Sequence, residues 1–477
     1  MEIENKKLKL NYKNTILIGM AFFSITLLWT VYGQYCPKLI TKILIDSGIC
    51  ATENDTLFPV GIIMALDNAL ALFMLPIFGT LSDKTKCSFG KRMIYIFPGM
   101  IISSIIFPFI AVAFLVAPSL YGVWAPLAII ILVILMGLVL IVMNIYRNPA
   151  VALMPDVTPK PLRSKANGII NFVGYVGGAI AGILAMFFTI EKGAHYPIFA
   201  FAIASVFMIA AAIILVTNIK ENKLLEENKK LMLEGEKQSE TFSDVEGGEK
   251  LSKTDKKNFV IILLGVLFWY FAFNAVETFA PLFCEYILGH EKMGGTIVIV
   301  LTASSLISFI LLLNLPAKIG RKWTVIVGIG TMIFAFLGII ITMLASGVFS
   351  STYEITDEVK KMWETRVIII YVFVAFLGCG WALINANSYP MVVELASGKN
   401  IGKYTGLYYT FAMVAQTLTP IISGAWMQYG QSKNGLNLLF IYSLIMSAIA
   451  LVTMLFFTEK KKVIKKSKIG FEALDND

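Results

Sequence analysis

Residues 61–92 read GIIMALDNALALFMLPIFGTLSDKTKCSFGKR. An apolar run long enough to cross a bilayer holds one carboxylate, Asp67, with Asn68 beside it. It then ends in Gly79, Asp83 and Lys84 and a basic cluster, Gly90, Lys91 and Arg92. A charge near the bilayer centre costs at least ~2.5 kcal/mol even on the mildest insertion scale, so a buried acid there is expected to serve a function. Asp67 stands sixteen residues before Asp83, roughly 24 Å along a helix, which is near mid-membrane. A carboxyl in that setting is able to take up a proton or coordinate a cation.

The rest of the 477-residue chain has the same character. It is 57% hydrophobic and 15% charged, where soluble domains carry about 25% charged residues, so the chain reads as an integral membrane protein. Apolar runs of about 18 residues or more predict twelve helices, near 15–35, 58–80, 93–117, 124–148, 166–190, 196–217, 259–281, 294–316, 323–346, 366–390, 403–428 and 436–457. The first follows a Lys-rich start without a small-residue cleavage site and is read as a retained helix.

Lys and Arg fall mainly in alternate loops and at both ends of the chain, which puts both termini in the cytoplasm and explains the net charge of +9 as topology, without a nucleic-acid partner. The expected division is a cytoplasmic N-terminus (1–14), a six-helix half (15–217), a cytoplasmic linker (218–258), a second six-helix half (259–457) and a cytoplasmic tail (458–477). The linker is polar, with nine Lys against ten acids.

Further polar groups sit on the predicted helices. Asn144, Arg147 and Asn148 share one face at i, i+3 and i+4, as do Tyr270, Asn274 and Glu277 at i, i+4 and i+7. Arg147 is expected to meet a carboxylate, a carbonyl, water or a ligand hydroxyl through its donor fork, and Glu277 is a second buried acid. Helix 1 shows Thr26, Trp29, Thr30 and Gly33 at helical spacing, with Gln34 beside them. Asn171, Asn385 and Gln416 add neutral hydrogen-bonding groups. Gly174, Gly178 and Gly182 at four-residue spacing permit close helix packing. The five cysteines form no CxxC pair and no cluster with the two His residues, so no metal or cofactor is expected; Cys36 and Cys50 lie on the same predicted side, and free thiols are the expectation.

The halves echo each other. Gly90-Lys91-Arg92 recurs as Gly320-Arg321-Lys322, an offset of 230, and Asp156, Lys165 and Gly168 recur as Glu394, Lys403 and Gly406, an offset of 238. Such duplication argues for a repeated six-helix unit with a binding site between the halves.

The pattern G-x-x-x-D-K-T-x-x-x-x-G-K-R at Gly79 to Arg92 resembles the cytoplasmic loop signature of the major facilitator superfamily. Its long spacing, with PDVTPKPLRSKANG at Pro155 to Gly168, is similar to the glycoside-pentoside-hexuronide:cation symporters and the related sucrose-transporter branch. The resemblance implies an all-α fold of twelve spans in two pseudo-repeats. It also implies alternating-access symport of a sugar or glycoside, driven by a proton or Na+, in the plasma membrane of a bacterium, by a monomer. Melibiose-type members carry paired helix 2 acids where Leu75 and Ala71 stand here, and an acid on helix 4 where Arg147 stands, which favours H+ over Na+. On this basis Asp67 is the expected cation-coupling residue, and Asn68, Asn144, Arg147, Asn148, Asn171, Asn274, Glu277, Asn385 and Gln416 line the substrate cavity. Gly79, Asp83, Lys91, Arg92, Asp156, Arg163, Arg321 and Glu394 form a cytoplasmic gate. The alternatives are an exporter or permease for a non-sugar metabolite or drug, and a non-transporting membrane sensor. An enzyme is not expected, since no nucleophile-base pair or metal cluster is visible in the membrane.

Overall fold

A computed structural model describes residues 10–159, 162–240, 253–312, 315–395, 401–430 and 434–458. The described residues form helices joined by short turns. In chain order these are α1 (Tyr12–Asp46), α2 (Leu57–Lys84), α3 (Met93–Ile106), α4 (Pro108–Val116), α5 (Ala125–Val157), α6 (Arg163–Phe187), α7 (Tyr196–Asn218), α8 (Glu221–Glu240) and α9 (Lys253–Tyr286). They continue as α10 (Lys292–Leu311), α11 (Leu315–Ile319), α12 (Arg321–Ala345), α13 (Asp357–Leu395), α14 (Ile401–Gly430) and α15 (Leu439–Leu455).

Among the described residues, eleven stretches are long and apolar enough to cross a membrane. The predicted span near 403–428 is the exception. Its helix, α14, is thirty residues long, but Tyr404, Thr405, Tyr408, Tyr409, Thr410, Gln416, Thr417 and Thr419 make it markedly less apolar. The expected span near 93–117 is built from two helices. Pro108 has no N–H to return to the preceding turn, and α3 gives way to α4 at Phe107. α13 starts at Asp357, earlier than the expected 366. Within the linker the sequence pattern of Glu and Lys forms α8.

Two bundles are evident. α1 packs on α6 and α7, α3 on α5 and α7, and α2 on α5 in the first; α12 packs on α13 and α15, α10 on α13, and α9 on α15 in the second. The bundles meet where α2 lies against α14 and α6 against α10, with α1 touching α9 between them. The repeat is visible in the backbone. Gly90 and Gly320, which open the two basic clusters, both take the positive φ that glycine alone adopts without strain, +115° and +87°.

We name the two ends of the molecule by their contents. The hairpin end carries the loops with Asp83 to Arg92 and Asp156 to Arg163; the far end carries the α1–α2, α6–α7 and α9–α10 connections.

Candidate functional site

Helices from both halves bring ionisable groups together in the interior. On α1, Trp29 lies under the Arg147 guanidinium of α5, whose central carbon is 4.8 Å from the ring centroid. Cation–π stacking suits Arg because its planar, weakly hydrated group covers an aromatic face well. On α2, Asp67 is 3% exposed, and its Oδ1 is buried with no hydrogen-bond partner. The charges of Arg147 and Glu277 both act on it, and Asp67 in turn acts on Tyr32 and Cys36 of α1. Among the described residues no carboxylate is ion-paired with Arg147.

Glu277 belongs to α9, the most buried of the eleven spans, yet its side chain is exposed. A carboxylate exposed on a buried helix, and felt electrostatically by Asp67 on the opposite half, faces internal space between the halves. Tyr270, two turns earlier on the same face, lies in the field of both Arg147 and Glu277. Its hydroxyl reaches the Oδ1 of Asn385 on α13 at 3.5 Å. Behind it, Phe273 and Trp381 stack face to face at 3.7 Å with an interplanar angle of 4°, and Tyr270 meets Trp381 edge-on at 5.2 Å.

Polar atoms without partners accompany these charges. Both side-chain atoms of Asn144, one turn before Arg147, and Nδ2 of Asn274, one turn before Glu277, are buried and unpartnered. Each such group costs about 1–3 kcal/mol, which the packing of the helices around it must offset. Among the described residues, several of them lie on the faces that carry Arg147 and Glu277.

Other expected cavity residues are engaged in packing. Asn148 donates to the carbonyl of Leu75 at 2.5 Å and so ties α5 to α2. Asn171 donates to the carbonyl of Asn167 on its own helix at 2.9 Å. Asn68 donates to the backbone carbonyl of Gln416 at 3.4 Å, which joins α2 to α14 across the halves. Ser305, Ser308 and Asn387, polar residues of the second half that were not among the expected cavity set, also bond to neighbouring helices or to their own backbone. The five cysteines are free thiols.

At the hairpin end, Arg92 is 3% exposed and forms the hub. It pairs with Asp83, bonds Ser82, and donates Nε to Asp156 Oδ2 at 2.9 Å, while Lys91 reaches the same Asp156 oxygen at 2.9 Å. Burial opposes the charge of Arg92, and the hydrogen bonds and charges of Asp156 and Asp83 more than offset it, so its pKa is raised. Gly79 lets Asn148 approach: a Cβ there would sit 2.2 Å from Nδ2. Among the described residues Arg163 makes no ion pair with the charge network; it donates to the carbonyls of Thr158 at 3.1 Å and Pro155 at 2.8 Å. The side chain of Glu394 lies outside the described residues, and Arg321 begins α12 directly after Gly320.

Glu221, at the start of α8, was not singled out by sequence. It is fully buried, and accepts from the backbone amides of Arg92 and Met93 at 2.9 Å each. Asn222 and Asn228 of α8 donate to the carbonyls of Ser88 and Val157, both at 2.8 Å. The hairpin charges therefore join α2, α3 and α5 of one half to the linker helix.

At the far end the halves are in close contact. A Cβ on Gly61 of α2 would stand 2.2 Å from the Pro420 carbonyl oxygen of α14, and one on Gly424 of α14 would stand 2.5 Å from that of Leu57. The α6–α10 crossing is built the same way: Gly295 against the Gly182 carbonyl, 2.4 Å, and Gly182 against that of Gly295, 2.9 Å. Gln428 accepts from the Phe58 amide at 2.8 Å, and Asn54 accepts from that of Gly435 at 2.9 Å. Lys38 of α1 forms a buried ion pair with Glu291.

The architecture is similar to solved transporter structures. One is a D-xylose-proton symporter, with 15% identity over 94% of this chain and 98% of that one and a TM-score of 0.63. A second is the xylose transporter XylE from E. coli in an inward open conformation, with 16% identity over 95% and 97% and a TM-score of 0.61. A third is a point mutant of the nucleoside transporter NupG, with 14% identity over 93% and 98% and a TM-score of 0.58. At these identities the likeness is one of fold. No curated protein sequence matches the chain. A family model described as MFS/sugar transport protein matches residues 56–457, most of the chain, and the chain therefore belongs to that family of membrane transporters.

Proposed function

We propose that the chain is a proton-coupled symporter of a sugar or glycoside, working by alternating access between its two six-helix halves. The observation that carries this is the interior set of Asp67, Arg147 and Glu277, drawn from both halves, with the buried Asp67 in the field of the other two. Asp67 is the proton carrier. Charged, it attracts Arg147 across the cavity; protonated, it releases that attraction and leaves the guanidinium fork to substrate hydroxyls. Asn144, Asn274, Glu277 and Asn385 supply the further hydrogen bonds a hydroxylated cargo needs, and the Trp381 and Tyr270 rings supply apolar wall. A sugar entering such a site exchanges its bonds to water for bonds to these groups, so a cavity that keeps unsatisfied donors and acceptors favours a polyhydroxylated ligand over an apolar one.

The positive-inside pattern of Lys and Arg places the hairpin end in the cytoplasm. Closure at the far end then corresponds to the state that delivers cargo inward, and the Arg92 network with Glu221 holds the first half and α8 together as one body while the halves rock. Na+ as coupling ion is disfavoured by the guanidinium of Arg147, which adds a fixed positive charge to the site.

The test is sugar-induced alkalinisation of the medium by de-energised cells expressing the protein, across a panel of glycosides, with Asp67→Asn beside the wild type. A sugar-dependent proton signal that the mutant lacks is expected. Robust sugar uptake without any proton signal would refute the proton, and an intact signal in the mutant would remove Asp67 from the coupling role.

A further inference from the structure

The buried pair Lys38–Glu291 lies outside the machinery just described. Lys38 is 2% exposed and Glu291 is 1% exposed, and the two come from opposite halves, 253 residues apart in sequence. Lys38 is anchored in its own half, and Glu291 meets the first half a second time through Glu191. Lys38 lies over the ring of Tyr35, 4.9 Å from its centroid, and the Tyr35 hydroxyl donates to the carbonyl of Phe188 at 2.8 Å, just beyond α6. Glu291 precedes α10. The amides of Glu191 and Glu291 bond reciprocally to each other's carboxylates, at 3.1 and 3.3 Å. Glu285, at the end of α9, and Lys42, one turn beyond Lys38 on α1, complete the charges at this point.

Taking one partner away from a fully desolvated ion pair leaves an uncompensated buried charge. The pair therefore favours contact between the halves at the far end, next to the Gly182–Gly295 crossing. It also lies close to the interior site along α1. Trp29 stacks on Arg147, Cys36 lies in the field of Asp67, and Lys38 follows two residues later. Between Trp29 and Lys38 stand Gly33 and Pro37. Pro37 cannot donate to the carbonyl of Gly33, which frees α1 to bend there, and a Cβ on Gly33 would meet nothing within 4 Å.

We propose that Lys38 and Glu291 form the latch of the far end, that the α1 segment beyond Gly33–Pro37 is the hinged arm carrying it, and that parting of this pair accompanies opening of the far end. The proposal concerns a conformational equilibrium, so it is tested without substrate and independently of sugar or proton specificity.

Cys36 is the reporter. It is fully buried, with 0% exposure, within the hinge at the base of the arm. In a protein with Cys50, Cys87, Cys284 and Cys379 replaced by Ser and held in lipid nanodiscs, the rate of maleimide modification of Cys36 measures how often the arm opens. Glu291→Gln is expected to raise that rate about tenfold or more, since the latch contributes only to the closed state. The charge swap Lys38→Glu with Glu291→Lys is expected to bring the rate back toward that of the parent. The neutral pair Lys38→Met with Glu291→Gln removes the latch without stranding a charge, and is expected to match Glu291→Gln even where the single variant folds poorly. A parental rate in the neutral pair would overturn the latch, as would a swap that reacts as fast as Glu291→Gln.

Discussion

The Arg147 guanidinium lies over the Trp29 indole with its central carbon 4.8 Å from the ring centroid, joining α5 to α1 beside the mid-helix acid of α2. The contact holds the fork in place while leaving its edge N–H groups free to donate. Replacing Arg147 by Lys keeps the charge but loses the planar stack and the bidentate donor geometry. We expect Arg147→Lys to lower the initial rate of sugar uptake by about tenfold or more, and Trp29→Phe, which keeps an aromatic face, to lower it only a few-fold. Equal losses in the two variants would show that the stack itself does not position the guanidinium.

The two glycine crossings at the far end admit a sharper prediction, because the obstructing atoms are backbone. A Cβ at Gly61 would stand 2.2 Å from the Pro420 oxygen and 2.8 Å from its carbonyl carbon, and one at Gly295 would stand 2.4 Å from the Gly182 oxygen and 2.7 Å from the Met186 nitrogen. Neither partner can rotate away, so Gly61→Ala and Gly295→Ala each force the halves apart at that end. Both are expected to slow transport by about tenfold and to make far-end positions more reactive to maleimide. Gly137→Ala is the control: its Cβ meets nothing within 4 Å, and it is expected to transport like the wild type.

How much of this was readable in the chain depends on how local the signal is. Hydrophobic runs locate spans because every residue in a run contributes, and the eleven apolar spans fall on predicted runs. The less apolar α14 is a long helix because the bilayer is not its only partner; it lies along α2 and α9 of the bundles. The Phe107 break came from a single proline, whose effect on hydropathy is small. The Asp67 and Glu277 positions were visible because an acid inside an apolar run is conspicuous. Their mutual influence was not, since it arises across the junction of the halves. Lys38, Glu191 and Glu291 sit in predicted loop margins where charges are ordinary, and only folding makes one pair buried. Asn148 shares a helical face with Asn144 but follows Arg147 by one residue, about 100° around the helix, and reaches the Leu75 carbonyl of α2 instead; Asn171 bonds the backbone of its own helix.

Glu221 is the case in which composition concealed a structural role. Its carboxylate accepts from the amides of Arg92 and Met93 at the start of α3, where the first amides of a helix have no partner in their own helix. Glu221→Ala leaves both amides buried and unpaired, a loss of about 1–3 kcal/mol for each partner removed. The expected outcome is a clear fall in the thermal unfolding midpoint of the purified protein. Lys223→Ala on the same helix, whose side chain is exposed, is expected to leave the midpoint unchanged. A similar midpoint in both variants would mean that α8 is not bound to the hairpin through this carboxylate.

Asp67 and Glu277 are both interior acids, yet they differ in surroundings, and so they are expected to fail differently. Asp67 is buried with an unpartnered oxygen in the field of Arg147; Glu277 is exposed to the space between the halves. If Asp67 carries the proton, Asp67→Asn fixes the site in its proton-loaded form. Exchange of labelled for unlabelled sugar needs no net proton movement and should persist, while accumulation against a gradient should vanish. Glu277→Gln keeps the size of the side chain and one carbonyl acceptor but removes the charge that a ligand hydroxyl would donate to. Hydrogen bonds to charged groups are worth about 1.5–3 kcal/mol, so the half-saturating sugar concentration should rise about tenfold or more, with proton movement per sugar unchanged. Counterflow and proton-flux assays on the same vesicles separate the two cases. Loss of accumulation with retained exchange in Glu277→Gln, together with weakened affinity in Asp67→Asn, would reverse the two roles.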